Sequence, residues 1–357
     1  QNAADNGDGI EEQDVNVLKL LYLIRYIDDI PANLDNIVIL MADDIRMDKI
    51  TMRENVRDSL DRLYNQNYIG RTGETYNFLT DEEQDIQRDI YKNTQVDTSA
   101  IIERIGQMIF ADIYTTKKFR HGKYDFPFDQ MVDNINIGPI SGGMKLRIIT
   151  VATDSIDKTH SRLIMESKDQ AIVVLAETPY YEFLEKAMKV RKFVKQKNVA
   201  QLPKSVQDII RYHQDDATRN ETAAKEELVK AIIGADYYVD GEKIEINSGD
   251  AKGKLDQALE YLVNHVYNEL ELITKNAESD ADILAVLKGE HLDVMSGFVN
   301  NRDAAVKIEE YLEMQFAKKL PTSMADIQSR YQAIPYGWKE IDIAAVVAML
   351  IYDQKVT

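Results

Sequence analysis

Inside its first ninety residues the chain changes hydrophobic period, and that change limits the folds open to it. Val17, Leu20, Leu21, Ile24 and Ile27 recur at helical spacing and form one apolar stripe. Asn33 stands where it can cap a second, short helix with Leu34, Ile37 and Met41 on one face. Thr51 and Glu54 make the T-x-x-E pattern of a capping box, opening a third helix whose inner face is Val56, Leu60 and Leu63. In "YIGRTGETYNFLT" Gly70 and Gly73 bracket a tight turn, and Tyr76 and Phe78 alternate with polar neighbours as strand residues do. Three helices followed by a hairpin predict a winged helix with a helical extension over residues 15–97, preceded by a disordered or non-native leader over 1–14.

Beyond the polar segment "DEEQDIQRDIYKNTQVDTSA" the pattern is mixed. The helical "IIERIGQMIFADIY" leads into β-rich runs, "YDFPFDQMV", "LRIITVAT", "RLIME" and "AIVVLAE", and a long helix from about Tyr180 to Lys197 closes an α+β domain over 98–200. Residues 201–333 read as mainly helical, with a short hairpin at "YYVDGEKIEI", where Asp240 and Gly241 suit a two-residue turn. Residues 334–357 read as the start of a truncated helical or winged element. The expected fold class is therefore α+β, mostly helical, with an N-terminal winged helix, a mixed α+β middle domain and a helical C-terminal part. With 357 residues and 44% apolar content the chain is long enough for two or three cores. It has no cysteine, no basic-then-apolar leader and no apolar run of membrane-spanning length, so a cytoplasmic protein with no membrane partner is expected. The abrupt start at Gln1 and the apolar run before Thr357 read as an excised piece of a longer protein.

Several motifs are near misses. In "GPISGGMKLRII" Gly138 and Gly143 have the spacing of a phosphate loop, but Met144 takes the lysine position and Lys145 comes one place late. A β-branched run follows, so a strand is expected where a phosphate loop needs a helix. "IVILMADD" and "AIVVLAE" resemble strands that carry a magnesium-binding carboxylate and are expected to be core segments. "DNGDGIEE" fails as a calcium loop, because Ala4 and Val15 occupy ligand positions. His121, His160, His213, His265 and His291 show no metal-ligand spacing, and no nucleophile elbow or other catalytic constellation is present. No metal and no cofactor are expected in this chain, and it is not expected to be an enzyme.

The net charge of -18 argues against a nucleic-acid coat. Against that background "EKAMKVRKFVKQK" holds six cations, Lys186, Lys189, Arg191, Lys192, Lys195 and Lys197, and one acid. A helical wheel puts Phe183, Ala187, Val190 and Val194 inward and Lys189, Arg191, Lys192 and Lys195 outward. "KKFRHGK" adds Lys117, Lys118 and Arg120. These nine residues are candidate DNA or partner contacts, and a plain solvated face is the simpler alternative.

"VLKLLYLIRYIDDIPANLDNIVILM" and "SLDRLYNQNYIGRTGETYNFLTDEEQDIQRDI", with "FLTDEEQDI" as the most distinctive phrase, resemble the segment after the ATPase core of the BREX phage-defence P-loop proteins, the BrxC and PglY family. "IPYGWKEIDIAAVVAMLI" resembles that family's "PYGW" entry into another helical or winged element. The resemblance extends over nearly the whole chain, densest at the two ends and thin from about Lys204 to Arg330. It implies a bacterial defence complex in which an ATPase acts beside a DNA methyltransferase and other subunits. ATP and magnesium are then expected only upstream of Gln1, and no family catalytic residue carries over.

Two functions follow as expectations. One is a non-catalytic interaction and regulatory portion of a multidomain ATPase, holding partner proteins, DNA or further copies of itself. The other is a free-standing winged-helix DNA-binding regulator. The third helix favours the first, because Arg53, Arg57 and Arg62 are balanced by Glu54, Asp58 and Asp61, whereas a groove-reading helix carries surplus positive charge. Arg53, Arg57 and, from the turn, Arg71 are candidate partner contacts of the winged unit.

Overall fold

A computed structural model describes residues 9–25, 27, 29–42, 44, 48–72, 74–289 and 299–356. Half of "DNGDGIEE", together with Asp43, Gly73 and His291, therefore lies outside the described residues. The chain divides into two compact units, Gln1–Ile101 with Pro179–Glu227, and Ile102–Thr178 with Leu228–Thr357.

The first unit begins with helices α1 (Glu12–Ile24), α2 (Leu34–Met41) and α3 (Lys49–Asn65) and the antiparallel hairpin β1 (Ile69–Thr72) and β2 (Thr75–Phe78). Val17, Leu21, Ile24, Ile37, Val56, Leu60, Leu63 and Ile69 make its core, as the periodicity requires. Three local expectations are corrected. Helix α1 starts at Glu12 and buries Asp14, so the leader gives way to folded structure before residue 14. Ile27 follows the end of α1 and is 45% exposed. Helix α3 is capped by Asp48, whose carboxylate accepts from the Ile50 N–H and the Thr51 hydroxyl, so Thr51 and Glu54 form no capping box. The T-x-x-E pattern that does form one is Thr80 with Glu83, at the start of α4 (Asp81–Arg88).

Helix α4 continues into a π turn (Asp89–Asn93) and packs with α7 (Tyr180–Gln196) and α8 (Lys204–Ile233) around Ile86, Ile90, Ala187, Val190, Phe193, Ile210 and Ala217.

The second unit contains the sheet. After α5 (Thr98–Gln107) come β3 (Lys118–His121), β4 (Tyr124–Val132), β5 (Ile135–Asn136), β6 (Met144–Ile149), helix α6 (His160–Glu166) and β7 (Ala171–Val174); β8 (Asp236–Val239) and β9 (Glu242–Ile244) follow α8. The strand order is β3-β4-β6-β7-β8-β9, with β5 paired to β4. β4, β6 and β7 run parallel and the remaining pairs antiparallel. The central strands are Val- and Ile-rich because both faces are covered. Asp240 and Gly241 take φ of 56° and 72°, the left-handed pair that a two-residue hairpin turn requires. "RLIME" is not a strand but lies in α6, with Leu163 as its buried anchor. The rest is helical: α9 (Ala251–Val266), α10 (Asp280–Leu287), α11 (Arg302–Ala317), α12 (Met324–Gln332) and α13 (Glu340–Tyr352). Between α12 and α13 the "PYGW" segment buries Trp338, stacked on Tyr331 with centroids 4.9 Å apart. Its indole N–H donates to the Glu269 carbonyl at 3.0 Å.

Candidate interaction surfaces

The basic helix foreseen at 180–197 is α7, but its faces differ from the helical wheel. Tyr180, Leu184, Ala187, Val190 and Phe193 are buried, while Phe183 and Val194 are only half-buried. Lys189 consequently does not face outward. Its side chain is 17% exposed, pairs with Glu185 at 2.9 Å and reaches the Tyr91 carbonyl at 3.4 Å. Arg191 forks onto Glu221 of α8 at 3.2 and 3.3 Å and donates to the Thr218 hydroxyl at 2.9 Å. Lys197 faces Asp89 at 3.7 Å. Three of the six cations are thus engaged within their own unit. Lys186, Lys192 and Lys195 have no ion pair among the described residues, and Lys186 and Lys195 are exposed. Glu185 lies on α7 itself, whereas Asp89 of the π turn and Glu221 of α8, the latter 30 residues from Arg191, are distant in sequence, so no local count reveals those two.

The second basic run is also partly neutralised. Arg120 lies opposite Asp125 in the β3–β4 register and binds its carboxylate at 2.9 and 3.1 Å. The Lys117 ammonium reaches the Phe110 carbonyl at 3.5 Å. Lys118 is exposed, on the same strand face as Arg120.

The three arginines do not share one surface. Arg53 pairs with Asp35 of α2, and with Arg57 it lines a hollow whose other walls include Val38, Ile39 and Ile50. Arg71 lies with its guanidinium 5.4 Å from the Tyr76 ring centroid and lines a different hollow. Sequence reasoning missed Arg62, which holds the buried Asp14 with two bonds of 2.8 Å. Burial alone would raise the Asp14 carboxyl, but hydrogen bonds from Arg62, the Glu11 N–H and Ser59 outweigh it and hold the group below 3.8.

The loop from Gly138 to Lys145 opens β6, so a strand follows it. The buried carboxylate of Asp129 accepts both the N–H and the hydroxyl of Ser141, at 2.5 and 2.7 Å. The loop amide that an anion would use is therefore bound to the protein's own anion. Among the described residues no helix is long and apolar enough to cross a membrane.

The described residues define the class of protein only as a mixed α+β chain with a sheet-containing middle. The comparisons with known families carry the identification further. Residues 94–262 match the fourth domain, described as having a six-stranded β sheet, of the BREX ATP-binding protein BrxC. Residues 269–357 match the winged helix-turn-helix domain of the same protein. The chain belongs to the BrxC family and is part of a BREX defence protein. No solved structure matches it.

These matches correct the sequence reading. The winged-helix domain is C-terminal, and the winged-helix assignment of residues 15–97 is not supported. The N-terminal three helices and hairpin carry the order of elements that misled it. The matches also include all but residues 263–268 of the stretch from 204 to 330, where the resemblance had been thinnest.

Proposed function

We propose that this chain is a non-catalytic interaction and regulatory portion of a multidomain P-loop ATPase, and that it holds other subunits of the defence complex, a DNA methyltransferase among them. The observation that carries this reading is the internal pairing of the basic side chains. A surface that tracks a phosphate backbone needs a run of unpaired cations, whereas Arg53, Arg120, Arg191 and Lys197 each face an acid of their own unit. Partner contact is assigned to the surface bearing Arg53 and Arg57, where exposed Ile39 and Ile50 stand beside charge, the mixture found in protein interfaces. DNA contact, where it occurs, falls to Lys186, Lys192 and Lys195 of α7. The free-standing DNA-binding regulator is the weaker reading, because α3, with four cations against three acids, offers a phosphate backbone little Coulomb attraction. Co-purification with the remaining subunits after nuclease treatment tests the proposal. Assembly that survives the nuclease is the expected result, and assembly that depends on intact DNA would refute it.

A further inference from the structure

In the second unit α11, α12 and α13 surround a hollow of about 860 Å³ whose walls are mostly apolar. Ile308, Leu312 and Phe316 follow one another at i, i+4 spacing along α11, so one apolar row passes from full burial at Ile308 to open exposure at Phe316. Val347 and Ile351 repeat the pattern on α13, half-buried and then exposed. Phe316 is 85% exposed, more than any other large hydrophobic side chain among the described residues. Scattered apolar residues at a surface need no explanation, but a contiguous set around one hollow marks an interaction site.

The charge beside these walls is unbalanced. Lys355 is bound to Glu309, and that bond, with the fields of Asp353 and Glu313, raises the lysine's pKa. Glu313 and Asp353 have no ion pair among the described residues, so one cation stands among three acids. Lys318 and Lys319, at the end of α11, do not line the hollow. The lining residues are helical or lie in the turns after α11 and α13, with no strand among them. An extended segment laid here would find no strand edge, and its amide and carbonyl groups would lose water without gaining partners. A helix closes its own backbone hydrogen bonds and presents side chains alone.

We propose that this hollow receives an amphipathic helix of a partner protein. Its apolar side chains, at i, i+3, i+4 and i+7, would pack against Leu312, Phe316, Leu320 and Ile351, and a lysine or arginine beside them would face Glu313 and Asp353. A nucleic acid does not fit, since its phosphates would meet the same acids. A second copy of this chain fits less well, because each rim would bring the same surplus of negative charge to the other. The inference rests on the reading of the chain as a holder of other subunits, but it names a surface other than that of Arg53 and Arg57.

Fluorescence anisotropy of the 357-residue chain with labelled synthetic helices of about twenty residues tests it. One helix carries a leucine face flanked by lysine, and a second has glutamate in place of the lysine. A third keeps the lysine but has serine in place of leucine, and a fourth is the first interrupted by central prolines. The first is expected to bind with a Kd below about 100 µM, and each of the others at least about tenfold more weakly. Phe316→Ser should weaken the first helix about tenfold, and Glu313→Lys with Asp353→Lys should make the glutamate helix the tighter binder. All three side chains are exposed, so these substitutions leave the core intact. The probes act without the other subunits, so their failure to bind is distinct from failed co-purification, which bears on the assembly reading. No binding of the first helix up to about 1 mM, equal binding of the glutamate or proline versions, or binding that Phe316→Ser leaves unchanged would overturn the proposal. So would a concentration-dependent dimer in sedimentation that Phe316→Ser disperses, which would give this face to a second copy.

Discussion

Asp14 is fully buried on a helix whose inner face is otherwise apolar, and the Arg62 guanidinium, two helices away, makes that position tenable. Removing one partner of such a pair leaves an uncompensated charge, so Arg62→Met should cost about 3 kcal/mol, measured as a shift in urea midpoint. The double variant Asp14→Leu with Arg62→Met should recover most of that loss, because neither charge is then left behind. The pH dependence has a definite sign. The folded carboxyl lies below its unfolded value of 3.8, so the pair contributes above about pH 4 and its contribution is lost as pH falls through the folded value. In Asp14→Asn that acid limb of the stability profile should flatten. A second residue-scale expectation concerns Lys145, which lies on β6, beyond a loop whose Ser141 amide already serves Asp129. Neither the chain nor Lys145→Ala should hydrolyse ATP with magnesium above background, and turnover abolished by Lys145→Ala would contradict this account of the loop. The glycine spacing and the strand after it were legible in the sequence, whereas Asp129 was not, because nothing in a local pattern shows that a carboxylate twelve residues earlier folds back onto a loop.

Elements were legible where periodicity was long or turn chemistry strict. The stripe of α1 as far as Ile24, the Asn33 cap and the Asp240–Gly241 turn took the expected form. "RLIME" misled because five residues are too few to separate the two periods, and its helical signal is an ion pair of Arg162 with Glu166 at 2.7 Å. The capping-box error at Thr51 has a related cause: Asp48, three residues earlier, competes for the same helix start and accepts from both Ile50 and Thr51. Helix α7 shows the limit most plainly, since an accurate span came with a misplaced outer face. Arg191→Glu would set two acids against each other at Glu221, so a reversal of Lys186, Lys192 and Lys195 is the cleaner test of this helix. If DNA binds here, changing all three to Glu should abolish the affinity. The corresponding neutral variants should reduce the salt slope by about 2.7, roughly 0.9 for each phosphate no longer neutralised. An unchanged slope in fluorescence anisotropy would remove α7 from the DNA question and leave it a packing helix with a solvated face.

At the scale of the whole molecule, the family was readable from phrases but the place of its winged helix was not. The N-terminal segment shows helix, helix, helix and hairpin in order, with a clear change of period. Residues 269–357 instead contain four helices and no named strand among the described residues, so no alternation marks a wing there. Charge gives the better guide to action. A net -18 makes the chain's far field repel a phosphate backbone, and the internal ion pairs leave few cations to oppose that repulsion locally. A protein surface imposes no such penalty, and the α2–α3 hollow combines exposed Ile39 and Ile50 with Arg53 and Arg57 in the way partner contacts do. Arg71 belongs to a different hollow and is left out of this test. Substituting Arg53 and Arg57 by Ala should therefore weaken assembly with the other subunits about tenfold, while changing affinity for duplex DNA less than about twofold, a difference of roughly 0.4 kcal/mol. Arg53→Ala alone also frees Asp35, so the single variants separate the partner-facing role from the α2–α3 ion pair: only breaking the ion pair lowers the melting temperature of the isolated chain. A tenfold drop in DNA affinity with assembly untouched would reverse the assignment and make this surface the DNA-contacting one.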